Sequence, residues 1–164
     1  MTDTDALRST LFSFHDRLAG SDIVWAVTAS ANLMLQGLDV TPGDIDVVTA
    51  ADGTYRIEEL FSEHVVRPVQ PPETTADEDK GIRSHYGAIS IDGIEVELMG
   101  GLEHRIDGEW VPIDDVAENR TFVEQDGRDI PVMALNHELA SYRSFGDADR
   151  VALLEAQMEN TRDA

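Results

Sequence analysis

The sequence predicts an α/β (α+β) fold in which helices back a mixed, mostly antiparallel sheet. Apolar residues recur at helical spacing near both ends of the chain, apolar runs of strand length fill its middle, and Asp-Gly pairs join several of these runs. At 164 residues the chain has the usual length of one domain and needs no disulfide to bury a core. We therefore expect a single domain, with a core over residues 20–100 and a C-terminal extension over 101–164 that contains hairpins and two helices.

The chain is predicted to begin with a helix over residues 3–18, because apolar residues form one stripe along it and Gly20 follows as a terminator. A short apolar strand is predicted over residues 23–27 and a buried helix over 31–38. Pro42-Gly43 then breaks the chain before a second strand that begins at Asp44. The residues of the first stripe are Leu7, Leu11, Phe14 and Leu18.

The next stretch is predicted to contain a turn at Ala51-Asp52-Gly53 and an amphipathic helix over residues 55–64. Val65-Val66 is long enough for only a short strand. Residues 68–81 are rich in Pro and acids, which predicts a mobile loop without regular structure. Its length makes it a candidate lid, and a disordered, solvated segment is the equal alternative.

A β-hairpin is predicted where Asp92-Gly93 separates two apolar runs, residues 84–91 and 94–99. On the second strand the apolar side chains face one side of the sheet, and Glu95 and Glu97 face the other. If this strand neighbours the one that carries Asp44, a Glu lies within about 5 Å of the Asp side chains.

The C-terminal extension is predicted to begin where Gly100-Gly101 ends that strand. Asp-Gly turns at residues 107–108 and 126–127 predict two further hairpins. Their aromatic residues, Trp110 and Phe122, are assigned to the core, and stacking on a nucleotide base is the alternative.

Two helices are predicted to close the chain. Asn136 is expected to cap a helix that runs to Ser144 and ends at Gly146, and Asp147 is expected to cap the last helix. Arg143 and Arg150 are basic residues of this region, and we assign no role to either.

The chain is strongly acidic, with 33 Asp and Glu residues against 12 Lys and Arg and a net charge of −21. The acids are spread along the whole chain, a pattern that resembles the proteins of extreme halophilic archaea, whose dense carboxylates keep the surface hydrated in molar salt. An ordinary acidic protein is the alternative. Because no cluster of Lys and Arg exists, we expect no duplex nucleic-acid partner.

Composition also excludes several classes of site. The chain has no Cys, so disulfides and Cys-ligated zinc are excluded, and its five His residues show no zinc-like spacing. No apolar run approaches the length of about 18 residues that a membrane span requires, and the acidic N-terminus does not resemble a targeting peptide. We therefore expect a cytoplasmic protein without a membrane partner. No nucleophile elbow, His-Glu-x-x-His motif or P-loop is present, which disfavours hydrolases that use them.

Asp44 and Asp46 form the candidate functional pair. Residues two apart on a strand point to one face, with Cα atoms about 6–7 Å apart. Two carboxylates held this close raise each other's cost of ionisation, and a divalent cation between them removes that cost. Oxygen ligands of this kind suit Mg²⁺ or Mn²⁺.

The order Ala29-Ser30, a spacer of 13 residues, then Asp44-x-Asp46 in an apolar strand resembles the signature of the nucleotidyltransferase superfamily with a polymerase-beta-type palm. Its minimal nucleotidyltransferases are the most similar members. That signature has Gly-Gly or Gly-Ser, a shorter spacer, two acids and a third acid on a later strand. Ala29 departs from it, because Gly is usual there and takes a positive φ without steric cost.

The resemblance implies a nucleotidyltransferase fold and transfer of an NMP from an NTP such as ATP to an unidentified acceptor hydroxyl, with release of pyrophosphate. Asp44, Asp46 and Glu97 would be the catalytic acids and would hold one or two Mg²⁺ or Mn²⁺ ions; Glu97 fits the third position better than Glu95. Ala29 and Ser30, with the backbone N–H groups that follow them, would bind the nucleotide's phosphates.

Two alternatives stay open at this point. A catalytically weak or inactive member of the same fold, such as an antitoxin-like protein, would bind nucleotide or a protein partner without consuming NTP. An acidic interaction protein would carry Asp44 and Asp46 only as a surface feature and would show no metal-dependent nucleotide binding.

Overall fold

The computed structural model describes residues 3–76, 81–112 and 115–163. These ranges form an eight-stranded mixed sheet with α-helices packed against it, which confirms the predicted fold class. The strands are β1 (Trp25–Thr28), β2 (Ile45–Thr49), β3 (Val65–Gln70), β4 (Ile82–Ile91), β5 (Ile94–Ile106), β6 (Glu109–Pro112), β7 (Arg120–Gln125) and β8 (Arg128–Met133). The helices are α1 (Asp3–Leu18), α2 (Ala29–Leu35), α3 (Ala51–Leu60), α4 (Pro72–Thr75), α5 (Val116–Asn119), α6 (Leu135–Phe145) and α7 (Ala148–Asp163), with a 3₁₀ turn at Ser62–His64.

The strand order is β3-β4-β5-β2-β1-β8-β7, and β6 pairs with the C-terminal end of β5. The pairs β2–β5 and β1–β8 are parallel, and the other pairs between described strands are antiparallel. The predicted mostly antiparallel sheet is therefore confirmed. Because β2 and β5 are neighbours at its centre, the acidic faces of both strands meet.

The main core lies between the sheet and α1. The predicted stripe of α1 is buried, and Phe14 stacks on Phe61 with ring centroids 5.2 Å apart and meets Trp25 edge-on at 4.9 Å. Ile45 and Val47 of β2 are fully buried in the same core. Because side chains alternate along a strand, this burial turns the intervening residue of β2 toward the opposite face of the sheet.

The segment after β2 differs from the prediction. Helix α3 begins at Ala51, where a turn was predicted, and it includes Gly53. Only glycine fits at this position, because a Cβ there would clash with the Thr49 side chain. Strand β3 runs through Pro68, which an edge strand tolerates because its N–H side needs no partner. Regular structure therefore continues to Thr75 in α4, and the predicted mobile loop over residues 68–81 is wrong for this part. Residues 77–80 of the predicted lid lie outside the described ranges.

The predicted end of the hairpin strand at Gly100-Gly101 is also wrong, because β5 continues to Ile106. A Cβ on Gly100 would lie 2.7 Å from the Ala50 carbonyl oxygen, so this glycine permits close packing of β5 against the start of α3. Gly101 has φ +60°, close to the point where the pairing of β4 with β5 shifts register. Both glycines therefore shape the strand and do not end it.

The three hairpins predicted at Asp-Gly pairs are confirmed as β4–β5, β5–β6 and β7–β8. In each turn the Asp and the Gly both have positive φ, as a two-residue hairpin loop requires. The assignment of Phe122 to the core is wrong: its side chain is 54% exposed on the edge strand β7. Trp110 is partly buried beneath the Arg83 guanidinium, 4.5 Å from its ring centroid.

The two C-terminal helices form as predicted, with one correction. Asn136 does not cap α6, which begins at Leu135 without a side-chain cap. Gly146 ends α6 with φ +74°, and the Asp147 carboxylate accepts a hydrogen bond of 3.1 Å from the Arg150 backbone N–H at the start of α7. No helix in the described ranges has both the length and the apolar character needed to cross a membrane.

Candidate functional site

Three carboxylates meet on the face of the sheet that points away from α1. Asp46 of β2 is the register partner of Glu97 of β5, and Asp44 lies just before β2. One carboxylate oxygen from each residue lies within 4.8 Å of the other two. The sequence-predicted acids are therefore brought together by two adjacent parallel strands whose other faces are buried in the core.

The electrostatics of this acidic triad, defined as Asp44, Asp46 and Glu97, disfavour three negative charges. Partial burial, a hydrogen bond with Glu97 and the Asp44 charge raise the pKa of Asp46 to about 8. The pKa of Asp44 is also raised, first by burial and then by the charges of Glu97 and Glu95. Three oxygen donors at this spacing, with ionisation disfavoured by their own proximity, fit a hard divalent cation such as Mg²⁺ or Mn²⁺.

Replacing Asp46 with Asn is expected to stabilise the metal-free protein. Because the pKa of Asp46 is about 8 in the folded state and about 4 in an unfolded chain, the folded state binds an extra proton in between. Wild-type stability therefore falls as the pH rises through this window. Above pH 8 the Asn variant should be more stable by about 1–2 kcal/mol, which raises the melting temperature by roughly 2–8 °C.

Thermal unfolding in EDTA from pH 5 to pH 9 measures this difference. Asp129→Asn, which changes an exposed carboxylate on β8, is the matched control. An Asp46→Asn variant that is less stable than the wild type, or a difference that does not grow with pH, would contradict the account.

The turn between β1 and α2 lies beside the triad, because Thr28 is the register partner of Asp46. Ala29 has φ +58°, so it adopts the left-handed conformation for which glycine is usual. The Ser30 hydroxyl accepts a hydrogen bond of 3.1 Å from Nη2 of Arg150 in the first turn of α7. The structure thus places a cation at this turn that the sequence did not assign, whereas Arg143 pairs with Glu155 at 2.8 Å.

Sequence reasoning also missed Glu138 of α6. Its side chain is buried, and Oε1 accepts hydrogen bonds from the Thr28 hydroxyl at 2.5 Å and the Ala29 N–H at 3.2 Å. Because that N–H is already paired, it is not free to bind a phosphate. One signal was available: Glu138 follows Leu135 by three residues and precedes Tyr142 by four, so it lies on the apolar face of α6.

Tyr86 hydrogen-bonds Glu97, the third acid, from β4, which lies on the opposite side of β5 from β2. Burial, and after it a hydrogen bond to Glu97, raises the pKa of the Tyr86 hydroxyl. That hydroxyl also accepts a hydrogen bond of 3.0 Å from Nη1 of Arg67 on β3. Neighbouring strands therefore orient the Glu97 carboxylate beside Asp46.

A cavity of about 770 Å³ opens beside Asp46 and extends toward the junction of α6 and α7. This volume lies within the range of roughly 300–1,000 Å³ that is typical of small-molecule sites. Its lining is mixed, with apolar and aromatic side chains between two carboxylates. The lining residues are Ala29, Asp46, Ile82, Met99, Tyr142, Ser144, Phe145 and Asp147.

Comparisons with known proteins agree with this fold. A family model described as aminoglycoside-2''-adenylyltransferase matches residues 10–158. A solved structure of a candidate nucleotidyltransferase from Thermotoga maritima is 35% identical over 98% of this chain and 96% of that chain, with a TM-score of 0.81. No curated protein sequence matches the chain.

Two antibiotic-modifying enzymes share the fold at low identity. Lincomycin-bound LnuA, a lincosamide adenylyltransferase, is 13% identical over 90% of this chain and 95% of that chain, with a TM-score of 0.57. The complex of ANT(2'')-Ia with adenylyl-2''-tobramycin is 11% identical over 96% of this chain and 90% of that chain, with a TM-score of 0.59.

Proposed function

The chain belongs to the aminoglycoside-2''-adenylyltransferase family of nucleotidyltransferases, and we propose that it is a Mg²⁺-dependent enzyme that transfers an NMP, with ATP as the first candidate donor, to an acceptor hydroxyl. The observation that carries this proposal is the meeting of Asp44, Asp46 and Glu97, whose carboxylate oxygens lie within 4.8 Å of one another. The turn at Ala29 and Ser30, which we propose as the phosphate-binding turn, borders this triad.

In the proposed reaction Asp44 and Asp46 would hold a divalent cation, and Glu97 receives the proton of the acceptor hydroxyl. A bound Mg²⁺ or Mn²⁺ would neutralise charge on the phosphates and lower the pKa of that hydroxyl. The acceptor oxygen forms a bond to the α-phosphorus while the bond to pyrophosphate breaks. Tyr86 keeps the Glu97 carboxylate oriented, since its hydroxyl bonds that group.

The triphosphate needs cations beside these three acids. Arg150 is suitably placed, because Nη2 of its guanidinium donates a hydrogen bond of 3.1 Å to Oγ of Ser30. We propose that the phosphates displace this contact and accept hydrogen bonds from Arg150 and from Ser30 together.

Arg150→Ala is expected to weaken the binding of Mg·ATP by about tenfold, since a hydrogen bond to a charged group contributes about 1.5–3 kcal/mol. Arg143→Ala is the matched control: Arg143 lies on the neighbouring helix and pairs with Glu155, away from Ser30. Calorimetric titration of both variants measures the effect. Equal affinity in the two variants would remove Arg150 from the site.

In the sequence, the alternative, a nucleotide-binding member without activity, is favoured by the replacement of glycine by Ala29 and by the lack of a clear acceptor-binding domain. Since Ala29 nevertheless has φ +58°, the turn keeps the conformation that a glycine would give it. This replacement therefore does not favour loss of activity.

We propose a small molecule as the acceptor, because the cavity beside Asp46 has a volume of about 770 Å³. The test incubates the protein with Mg²⁺, each NTP and a panel that includes tobramycin and lincomycin, and detects nucleotidylated products by mass spectrometry. The assays use molar KCl, because we propose that a chain of net charge −21 folds best when its charges are screened. A product that forms only with Mg²⁺ supports the proposal. Absence of product and of pyrophosphate release across a broad panel would favour the inactive alternative.

A further inference from the structure

One oxygen atom joins α6 to the turn between β1 and α2. Oε1 of Glu138 accepts three hydrogen bonds: from the Thr28 hydroxyl at 2.5 Å, the Ala29 N–H at 3.2 Å and the Asn32 side-chain amide at 2.9 Å. Glu138 is only 3% exposed, so these bonds form away from bulk water. The donors belong to the last residue of β1 and to the first turn of α2.

This turn contains a residue that needs to be held. Ala29 has φ +58°, a left-handed conformation that is strained for a residue with a Cβ. Strained backbone of this kind persists where the surrounding structure fixes it. The Glu138 carboxylate binds Ala29 and Thr28 directly and so fixes the backbone on the entry side of the strained residue.

The exit side is fixed through Asn32, which is fully buried. Its amide nitrogen donates to the Met133 carbonyl at 2.7 Å as well as to Glu138, and its amide oxygen accepts from Gln36 at 2.7 Å. These partners set the orientation of the amide group. The Asn32 amide is therefore fixed in the orientation that directs its nitrogen to Glu138.

The turn matters because it touches both halves of the proposed site. Thr28 is paired with Asp46 of the triad, and Ser30 carries the Arg150 contact. A change of φ at Ala29 would move Ser30 relative to Thr28 and so relative to Asp46, the register partner of Thr28. Phosphate binding and metal binding are thus aligned through the backbone of a single residue.

We propose that Glu138 is a positioning residue, which holds Ala29 in the left-handed conformation and thereby places Ser30 for the nucleotide. A glycine at position 29 would adopt a positive φ without steric cost. Ala29 keeps this conformation because the buried Glu138 carboxylate binds the turn. The effect on nucleotide binding rests on the proposed function, whereas the effect on the turn does not.

Four variants separate the acceptor oxygen, the charge and the backbone strain. Glu138→Gln keeps Oε1 and removes the charge, Glu138→Asp keeps the charge and withdraws the oxygen, and Glu138→Ala removes both. Ala29→Gly/Glu138→Ala removes the carboxylate and also replaces Ala29 with glycine, which is not strained at positive φ. Glu59→Ala, at an exposed position of α3, is the surface control.

Two readouts are measured for each variant. NMR follows amide hydrogen exchange and the φ-dependent coupling of residue 29 without nucleotide, and calorimetry gives the Kd for Mg²⁺ with a non-hydrolysable ATP analogue. We expect Glu138→Ala and Glu138→Asp to speed exchange at Ala29 and raise the Kd by about tenfold, the equivalent of one lost buried hydrogen bond. Glu138→Gln should leave both readouts near the wild type, and glycine at position 29 should restore most of the affinity lost in Glu138→Ala.

The proposal is overturned if Glu138→Gln is as damaging as Glu138→Ala, if glycine at position 29 restores nothing, or if exchange at Ala29 is unchanged in Glu138→Asp. Should Glu138→Ala fail to fold, the Gln and Asp variants decide the same question. If the wild type binds no nucleotide, the proposed function fails, while exchange and coupling at residue 29 still decide whether Glu138 holds the turn.

Discussion

Asp46→Asn is expected to reduce nucleotide transfer by roughly 1,000-fold or more, because the triad loses the charge of a proposed metal ligand. Asp46 interacts with both other acids: it hydrogen-bonds Glu97, and the charge of Asp44 raises its pKa. Asn is almost the same size and keeps a single oxygen, so the shape of the site should change little. The same loss is expected for Asp44→Asn.

Pyrophosphate release at saturating Mg·ATP and acceptor measures this loss, with Asp129→Asn as the control at an exposed position. Unfolding is not expected to complicate the result, because relief of charge repulsion should make the Asp46→Asn protein more stable than the wild type. A folded Asp46→Asn variant with unchanged turnover would show that the reaction does not pass through the triad.

Glu97→Gln is expected to separate catalysis from binding. As the proposed proton acceptor, Glu97 should contribute about 10²–10⁴-fold to kcat, whereas the affinity for Mg·ATP should change only a few-fold. Gln keeps an oxygen that can accept the hydrogen bond of the Tyr86 hydroxyl, so its side chain should stay in place. Rapid-quench measurement of the chemical step, beside calorimetric affinity, gives both quantities.

Glu95→Gln is the matched control, because Glu95 is two residues away on the same strand and its charge also acts on Asp44. Glu95 is not part of the cluster of mutually close carboxylates, so its variant should keep most of its turnover. An equal loss in both variants would contradict the assignment of Glu97 as the third acid. A Glu97→Gln protein that loses affinity as severely as Asp46→Asn would make Glu97 chiefly a binding residue.

The acidic face of the central strands could be predicted because its determinants are local. Asp46 and Glu97 alternate with apolar residues on two strands, and the period of two places acids and apolar side chains on opposite faces. The choice of Glu97 as the third acid came from the resemblance to the superfamily, because no local pattern shows that β2 pairs with β5. The β4–β5 hairpin follows from Asp92-Gly93 alone, since both residues take the positive φ that such a turn needs.

Residues whose role depends on distant packing could not be predicted in this way. The sequence pattern predicts that Gly53 and Gly100 interrupt regular structure. In the fold each lies inside an element, and glycine is needed there because a neighbouring element leaves no room for a Cβ. Glu138 and Arg150 act on a turn that lies more than a hundred positions earlier in the chain, and no local pattern reports such a contact. Phe122 was assigned to the core by its apolar character, but an edge strand leaves it exposed.

The most direct test of the central claim is calorimetric titration of a non-hydrolysable ATP analogue into the protein in molar KCl. The titration is made with Mg²⁺, with EDTA, and with the Asp44→Ala/Asp46→Ala protein in Mg²⁺. The account predicts binding at one site that requires both Mg²⁺ and the two aspartates. Binding of equal strength in EDTA or to the double variant, or no binding by the wild type, would contradict it.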